Sequence, residues 1–264
     1  MSSDRAQTTT QKPAEETRVH TRIACFQLGV EESRAYWTYV DGSGGEHSAL
    51  EAYSHQWFGS VSENRTKVIM RDMRARYDAF PAALDVLAKW RDMTPATRTV
   101  ICHWHLQLAD PLYREFSGVY LVEHRQSYES ELHREKVVRW VGDQQPERWS
   151  RSTRVAFASK LLTAAHCAGL VETNRDPRPL VYPRVTDEAL SYFLHLLREI
   201  RFEGTLLDNP YLRSVGMSGK FLEDRLRTLQ GAELRRMGDL VEFDTDAPDL
   251  ESWSHHNLTT SEAV

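Results

Sequence analysis

Cysteine is scarce in this 264-residue chain, with Cys25, Cys102 and Cys167 far apart and no CxxC pair. That argues against a disulfide scaffold or a structural zinc site and points to a reduced compartment, the cytoplasm. Long apolar runs are missing too. Stretches such as Val119 to Val122 fall well short of the ~18 residues of a spanning helix, so no membrane partner is expected. Met1 to Thr17 has no apolar core of the secretory kind. There is no P-loop, HExxH, GxGxxG or nucleophile elbow and no internal repeat. Nothing in the sequence therefore argues for an enzyme or a cofactor.

Hydrophobic residues make up 41% and charged residues 27%, and aromatics are plentiful, with 7 Trp, 10 Tyr and 9 Phe. A packed core is expected and global disorder excluded. The net charge is −5, but the residues from Glu242 onward hold six carboxylates and no Lys or Arg. Without those six the body carries +1. The end of the chain, 244–264, reads as an acidic disordered tail whose removal spares the fold, and 1–20 as a polar disordered tail.

Between the tails the pattern is mainly helical. Ser48 to Glu51 fits a capping box, and Ser62 caps a helix running to about Tyr77. Thr94-Pro95 opens another, and a long helix is expected over about 127–140. Gly142 to Pro146 looks like a breaker and places a domain boundary between 21–141 and 147–243. A helix follows from about Ser152 to Ala168, with Gly169 as its C′ residue. Leu170-Val171 and Leu180 to Tyr182 flank a possible hairpin or wing. Thr186 caps an amphipathic helix with Leu190, Phe193, Leu194 and Leu197 on its apolar side. Two short strands are expected around Gly238-Asp239. The fold expected is a helical, helix-turn-helix-like domain followed by a winged-helix-like domain with short β-hairpins.

The Ser152 helix is the most informative segment. Val155, Ala158, Leu161, Leu162 and Ala165 share one face, and Thr153, Ala156, Ser159, Lys160 and Thr163 the other. A small polar face lets a helix backbone approach base edges in a major groove. Arg148, Arg151 and Arg154 gather at its start, where a helix favours phosphate, and Arg175, Arg178 and Arg184 follow in the candidate wing. A second basic helix carries Arg65, Lys67, Arg71, Arg74 and Arg76. Double-stranded DNA is thus the expected partner. The candidate contacts are Arg65, Lys67, Arg71, Arg148, Arg151, Ser152, Thr153, Arg154, Lys160, Arg178 and Arg184. An ordinary solvated surface is the plainer reading of the same charges. RNA would favour single strands and aromatic stacking. His103-x-His105 beside Cys102 is a poor metal pair, because i and i+2 diverge on a helix; His105 reads as a core histidine.

The order of segments resembles one known family. Trp149-Ser-Arg-Ser-Thr-Arg154 with Lys160-Leu-Leu162 and Ala168-Gly-Leu170 is similar to the BrxA family of bacteriophage-exclusion (BREX) defence systems. So are Thr186 to Leu197, Asn209 to Gly216 and Arg236 to Glu242, and upstream Glu32-Ser-Arg34 and Ser62 to Thr66. The likeness spans roughly residues 30–243. It implies a helical, non-catalytic DNA-binding protein with winged-helix and helix-turn-helix modules, working beside other BREX components. The family has also carried an inner-membrane label, from which this sequence departs. An interaction scaffold of the same system, without nucleic-acid contact, is the alternative.

Overall fold

In a computed structural model, described over residues 12–40, 47–127, 131–237 and 240–258, the chain is mainly helical with two small antiparallel two-stranded sheets. The first half runs α1 (Arg22–Cys25), α2 (Val30–Tyr39), α3 (Ala49–Ser54), α4 (Glu63–Tyr77), α5 (Pro81–Lys89) and α6 (Pro95–Ala109). Then α7 (Pro111–Glu115) passes through a π-helical turn, Phe116–Tyr120, into α8 (Leu121–Gln126). The second half holds β1 (Glu131–Leu132), α9 (Arg134–Gln144), α10 (Arg151–Cys167), β2 (Arg178–Pro179), α11 (Asp187–Glu199), α12 (Pro210–Ser214) and α13 (Gly219–Arg227). The chain then forms β3 (Ala232–Met237), β4 (Leu240–Thr245) and α14 (Leu250–Leu258).

Helix starts follow the sequence signals. Ser48 and Glu51 make the reciprocal capping box, and the hydroxyls of Ser62, Thr94 and Thr186 each accept from the backbone N–H three residues on. Gly169 takes φ 72° after α10, a left-handed conformation that glycine adopts without steric cost. The β3–β4 ladder pairs Ala232 with Thr245 through to Met237 with Leu240. Gly238 and Asp239, between the two expected strands, lie outside the described residues.

The two expected domains share one core. Helix α6 is buried continuously from Val100 to Ala109. Its Trp104 stacks on Phe193 of α11 at 4.3 Å, and its His105 Nε2 lies 2.8 Å from the Tyr192 hydroxyl. The boundary at Gly142 to Pro146 is only the link between α9 and α10, which pack side by side. The breaker does end α9, at Gln144, although Gly142 itself still lies within the helix. A Cβ at Gly142 would come within 2.8 Å of Arg154 Nη1, so glycine permits close approach of the two helices.

Both expected tails shorten. Residues 12–20 strap the body: Arg201 N donates to Pro13 O, Glu15 N to Arg201 O and Glu16 N to Leu108 O. At the other end, α14 buries Leu250 and Trp253 against the body and packs on α5 and α11. Residues 1–11 and 259–264 lie outside the described part.

Candidate nucleic-acid interface

Helix α10 begins one residue earlier than the sequence suggests, at Arg151. Its N-cap is Ser150, whose Oγ accepts from Thr153 N at 3.3 Å and lies 2.9 Å from both Ser152 Oγ and Thr153 Oγ1. Of the expected apolar face Ala158, Leu161, Leu162 and Ala165 are buried, joined by Phe157 and Ala164, while Val155 is half-buried and outside the core. On the other face Ser152 and Ala156 are exposed and Thr153, Ser159, Lys160 and Thr163 half-buried. Ser159 and Thr163 donate to the carbonyls four residues back, Val155 O and Ser159 O, both at 2.9 Å. Their hydroxyl protons are therefore spent on the helix itself.

The eleven candidate residues separate into groups. Arg148 and Arg151 are exposed at the start of α10 with no carboxylate partner among the described residues; Arg148 lies 6.0 Å from the ring of Trp149. Arg154 points back instead. Its Nε donates to Trp149 O at 2.9 Å and its Nη2 to Pro146 O, so it fastens the α9–α10 link and is spent on structure.

The expected hairpin is present but short: Val171 bridges Leu180 antiparallel, with Glu172 N donating to Pro179 O at 3.0 Å and Val181 N to Leu170 O at 3.1 Å, and Arg178–Pro179 also pairs with Glu131–Leu132. Arg178 is buried, ion-paired with Asp176 and bonded to Asn174 O at 3.0 Å, which withdraws it from any surface contact. Asp176 also accepts from Arg134 N at 3.0 Å, which fixes the loop to the start of α9. Because α9 and α10 form a tight helical hairpin, this loop sits at the far end of α10 from Arg148 and Arg151. A helix of 17 residues separates them by about 25 Å. Arg184 is exposed in another place again, beside the starts of α6 and α11 with Thr94, Thr186 and Arg225.

On α4, Arg71 is exposed and unpartnered, Lys67 pairs with Glu63 at 2.5 Å, and Arg65 donates to Cys25 O at 2.9 Å with its guanidinium 5.1 Å from the Phe26 ring. Arg76 and Arg74, part of the expected basic face, are likewise engaged: Arg76 is buried against Asp72, and Arg74 donates to His47 O.

Sequence reasoning passed over α9. Its exposed Arg134 and Arg139, with half-buried Lys136, lie on the partner helix of α10. The signal was present, since residues 134–167 hold seven basic and three acidic side chains and α10 itself has no carboxylate. The expected helix over about 127–140 hides it, because β1 occupies Glu131–Leu132 and α9 starts only at Arg134.

The two histidines of α6 are both buried. His103 lies 2.9 Å from both Tyr113 OH and Ser214 Oγ, and burial pushes its pKa down to about 3. His105 is held between Tyr192 OH and Arg76 O, and burial pushes it down to about 4. Both are neutral hydrogen-bonding core groups.

No family model and no curated protein matches the chain. Among solved structures, it is similar to an uncharacterized protein from Magnetospirillum magneticum, with a TM-score of 0.58 and 15% identity over 75% of this chain and 98% of that one. That likeness concerns the fold alone. No described helix is long and apolar enough to cross a membrane.

Proposed function

We propose that this protein binds double-stranded DNA without catalysing a reaction, as a cytoplasmic component of a BREX-type phage-defence system. The DNA-binding reading rests on one observation: α10 is a 17-residue helix with no carboxylate, opened by exposed Arg148 and Arg151 that no acidic group neutralises. Arginine at a helix start opposes the helix dipole, and a phosphate placed there relieves both. Exposed Ser152 and Ala156 leave room for a groove wall close to the helix. In this reading α9, α10 and the 171–181 loop form the winged-helix-like unit, with Arg134, Arg139 and Arg175 as further phosphate contacts and Lys160 as a peripheral one. The defence setting, and other BREX components as partners, rest on the BrxA resemblance.

The test is a titration on duplex DNA at two salt concentrations. Log affinity should fall with log salt by about 0.9 per phosphate contact. Arg148→Glu with Arg151→Glu should weaken binding more than Lys67→Glu with Arg71→Glu, which changes charge equally elsewhere. A flat salt dependence defeats the reading, and a larger loss from the α4 pair moves the interface to the first half of the chain. The scaffold reading is favoured by Leu50 and Tyr53, exposed large side chains at i and i+3 of α3. It takes over if no DNA is retained at low salt.

A further inference from the structure

A second basic site lies away from α9 and α10. Between α2, α5 and the start of α6 is a cavity of about 330 Å³ whose wall includes Arg34, Trp37, Thr38, Trp90, Arg91 and Arg98 and no carboxylate. Three guanidiniums around one hollow repel one another unless an anion sits among them. A makeshift anion is present. Glu31, itself 74% exposed, reaches Arg34 through one oxygen at 3.9 Å and Arg98 through the other at 3.7 Å. Those separations exceed the 2.7–2.9 Å of a tight charge-assisted hydrogen bond, so Glu31 leaves most of the donor capacity unused. Arg91 is exposed and pairs with no side chain among the described residues. Independently, the indole Nε1–H of Trp37 is buried without an acceptor, in a residue only 4% exposed. A buried donor left unmade carries its full desolvation cost.

We infer that this cavity binds a phosphomonoester. Arg34, Arg91 and Arg98 hold the phosphate oxygens in place of Glu31, which swings out into solvent. Arginine suits this task because its planar fork matches phosphate oxygens two at a time. The cavity is larger than a bare phosphate needs, and exposed Arg91 and half-buried Trp90 belong both to it and to a neighbouring cleft of about 820 Å³. The organic part of the ligand extends that way, across the Trp90 ring. Two sources present this chemistry, a free mononucleotide and the 5′-phosphorylated end of a nucleic-acid strand. The site shares no residue with α9 or α10, so it stands or falls separately from duplex binding.

Tryptophan fluorescence at constant ionic strength reads the site through Trp37 and Trp90, with inorganic phosphate, AMP and short oligonucleotides bearing a 5′-phosphate or a 5′-hydroxyl as probes. Saturable change with AMP, with the 5′-phosphorylated strand or with both supports the inference and names the source. Arg91→Gln should weaken that binding by about tenfold or more, the loss of one charge-assisted contact, and Glu31→Gln should strengthen it. Arg98→Gln should weaken it as well. Because Arg98 also donates to Met93 O, the solvent-exposed Arg91 and Glu31 variants decide the outcome if that one does not fold. Absence of saturation with every probe up to about 10 mM overturns the inference. So does Arg91→Gln binding like the parent, or equal binding of 5′-phosphate and 5′-hydroxyl strands without any response to AMP. Duplex titration of Arg91→Gln should match the parent, which separates this site from the α10 interface.

Discussion

Arg151 and Arg154 are three residues apart on α10 and carry the same charge, yet they do different work. Arg151 is exposed with no hydrogen-bond or ion-pair partner, whereas Arg154 ties Trp149 O and Pro146 O across the link from α9. Arg154→Ala should therefore lower stability by about 1–2 kcal/mol, the cost of carbonyls losing a charged donor. That appears as a melting temperature several degrees lower. Arg151→Ala should melt like the parent while weakening DNA retention. Equal melts for both variants would remove Arg154 from its structural role. Helical projection places Arg154 on the flank of the apolar face, so its partial burial is legible in sequence. Which carbonyls it meets depends on where the preceding link runs, and no periodicity encodes that. Arg178 teaches the same lesson: its charge is plain in the sequence, but its burial follows from pairing with Glu131–Leu132, about 46 residues upstream.

At the scale of the element, side-chain caps fix where helices begin. Ser150 and Ser152 are both plausible starts for α10 by composition, and only Ser150 receives the N–H of Thr153. Ser150→Ala should cost about 1 kcal/mol in a urea titration, while Ser152→Ala should stay within about 0.5 kcal/mol of the parent. The reverse order would restore the later start. Local signals sufficed at Ser48, Ser62, Thr94 and Thr186 because each cap is a contact across three residues. They were less exact at the Gly142 to Pro146 breaker, which ends α9 at Gln144, two residues past the glycine, where Arg154 packs close by. Composition marks glycine as a breaker; packing makes it a place of close approach.

For the whole molecule, the decisive feature is that one core runs from Ile23 to Trp253. Helix α14 belongs to it. Leu250 is fully buried, Trp253 is 2% exposed, and Leu250 N donates to Glu199 Oε1 at 2.7 Å. Ending the chain at Asp249 should thus destabilise the protein by several kcal/mol, since losing a buried Trp side chain alone costs about 3–5 kcal/mol. Trp253→Ala should show most of that loss, and calorimetry of the parent should give a single transition spanning both halves. A truncated chain that melts like the parent would return this segment to the status of a tail. By itself the sequence determined the helical class, the caps at Ser48, Ser62, Thr94 and Thr186, the apolar face of α11 and the final hairpin, because each arises from contacts within a few residues or from one repeating period. The tertiary structure alone decided the single core, the seating of both chain ends, the burial of Arg178 and the gathering of Arg34, Arg91 and Arg98. Those depend on segments far apart in sequence being brought together, where burial and charge are set by neighbours that no local pattern names.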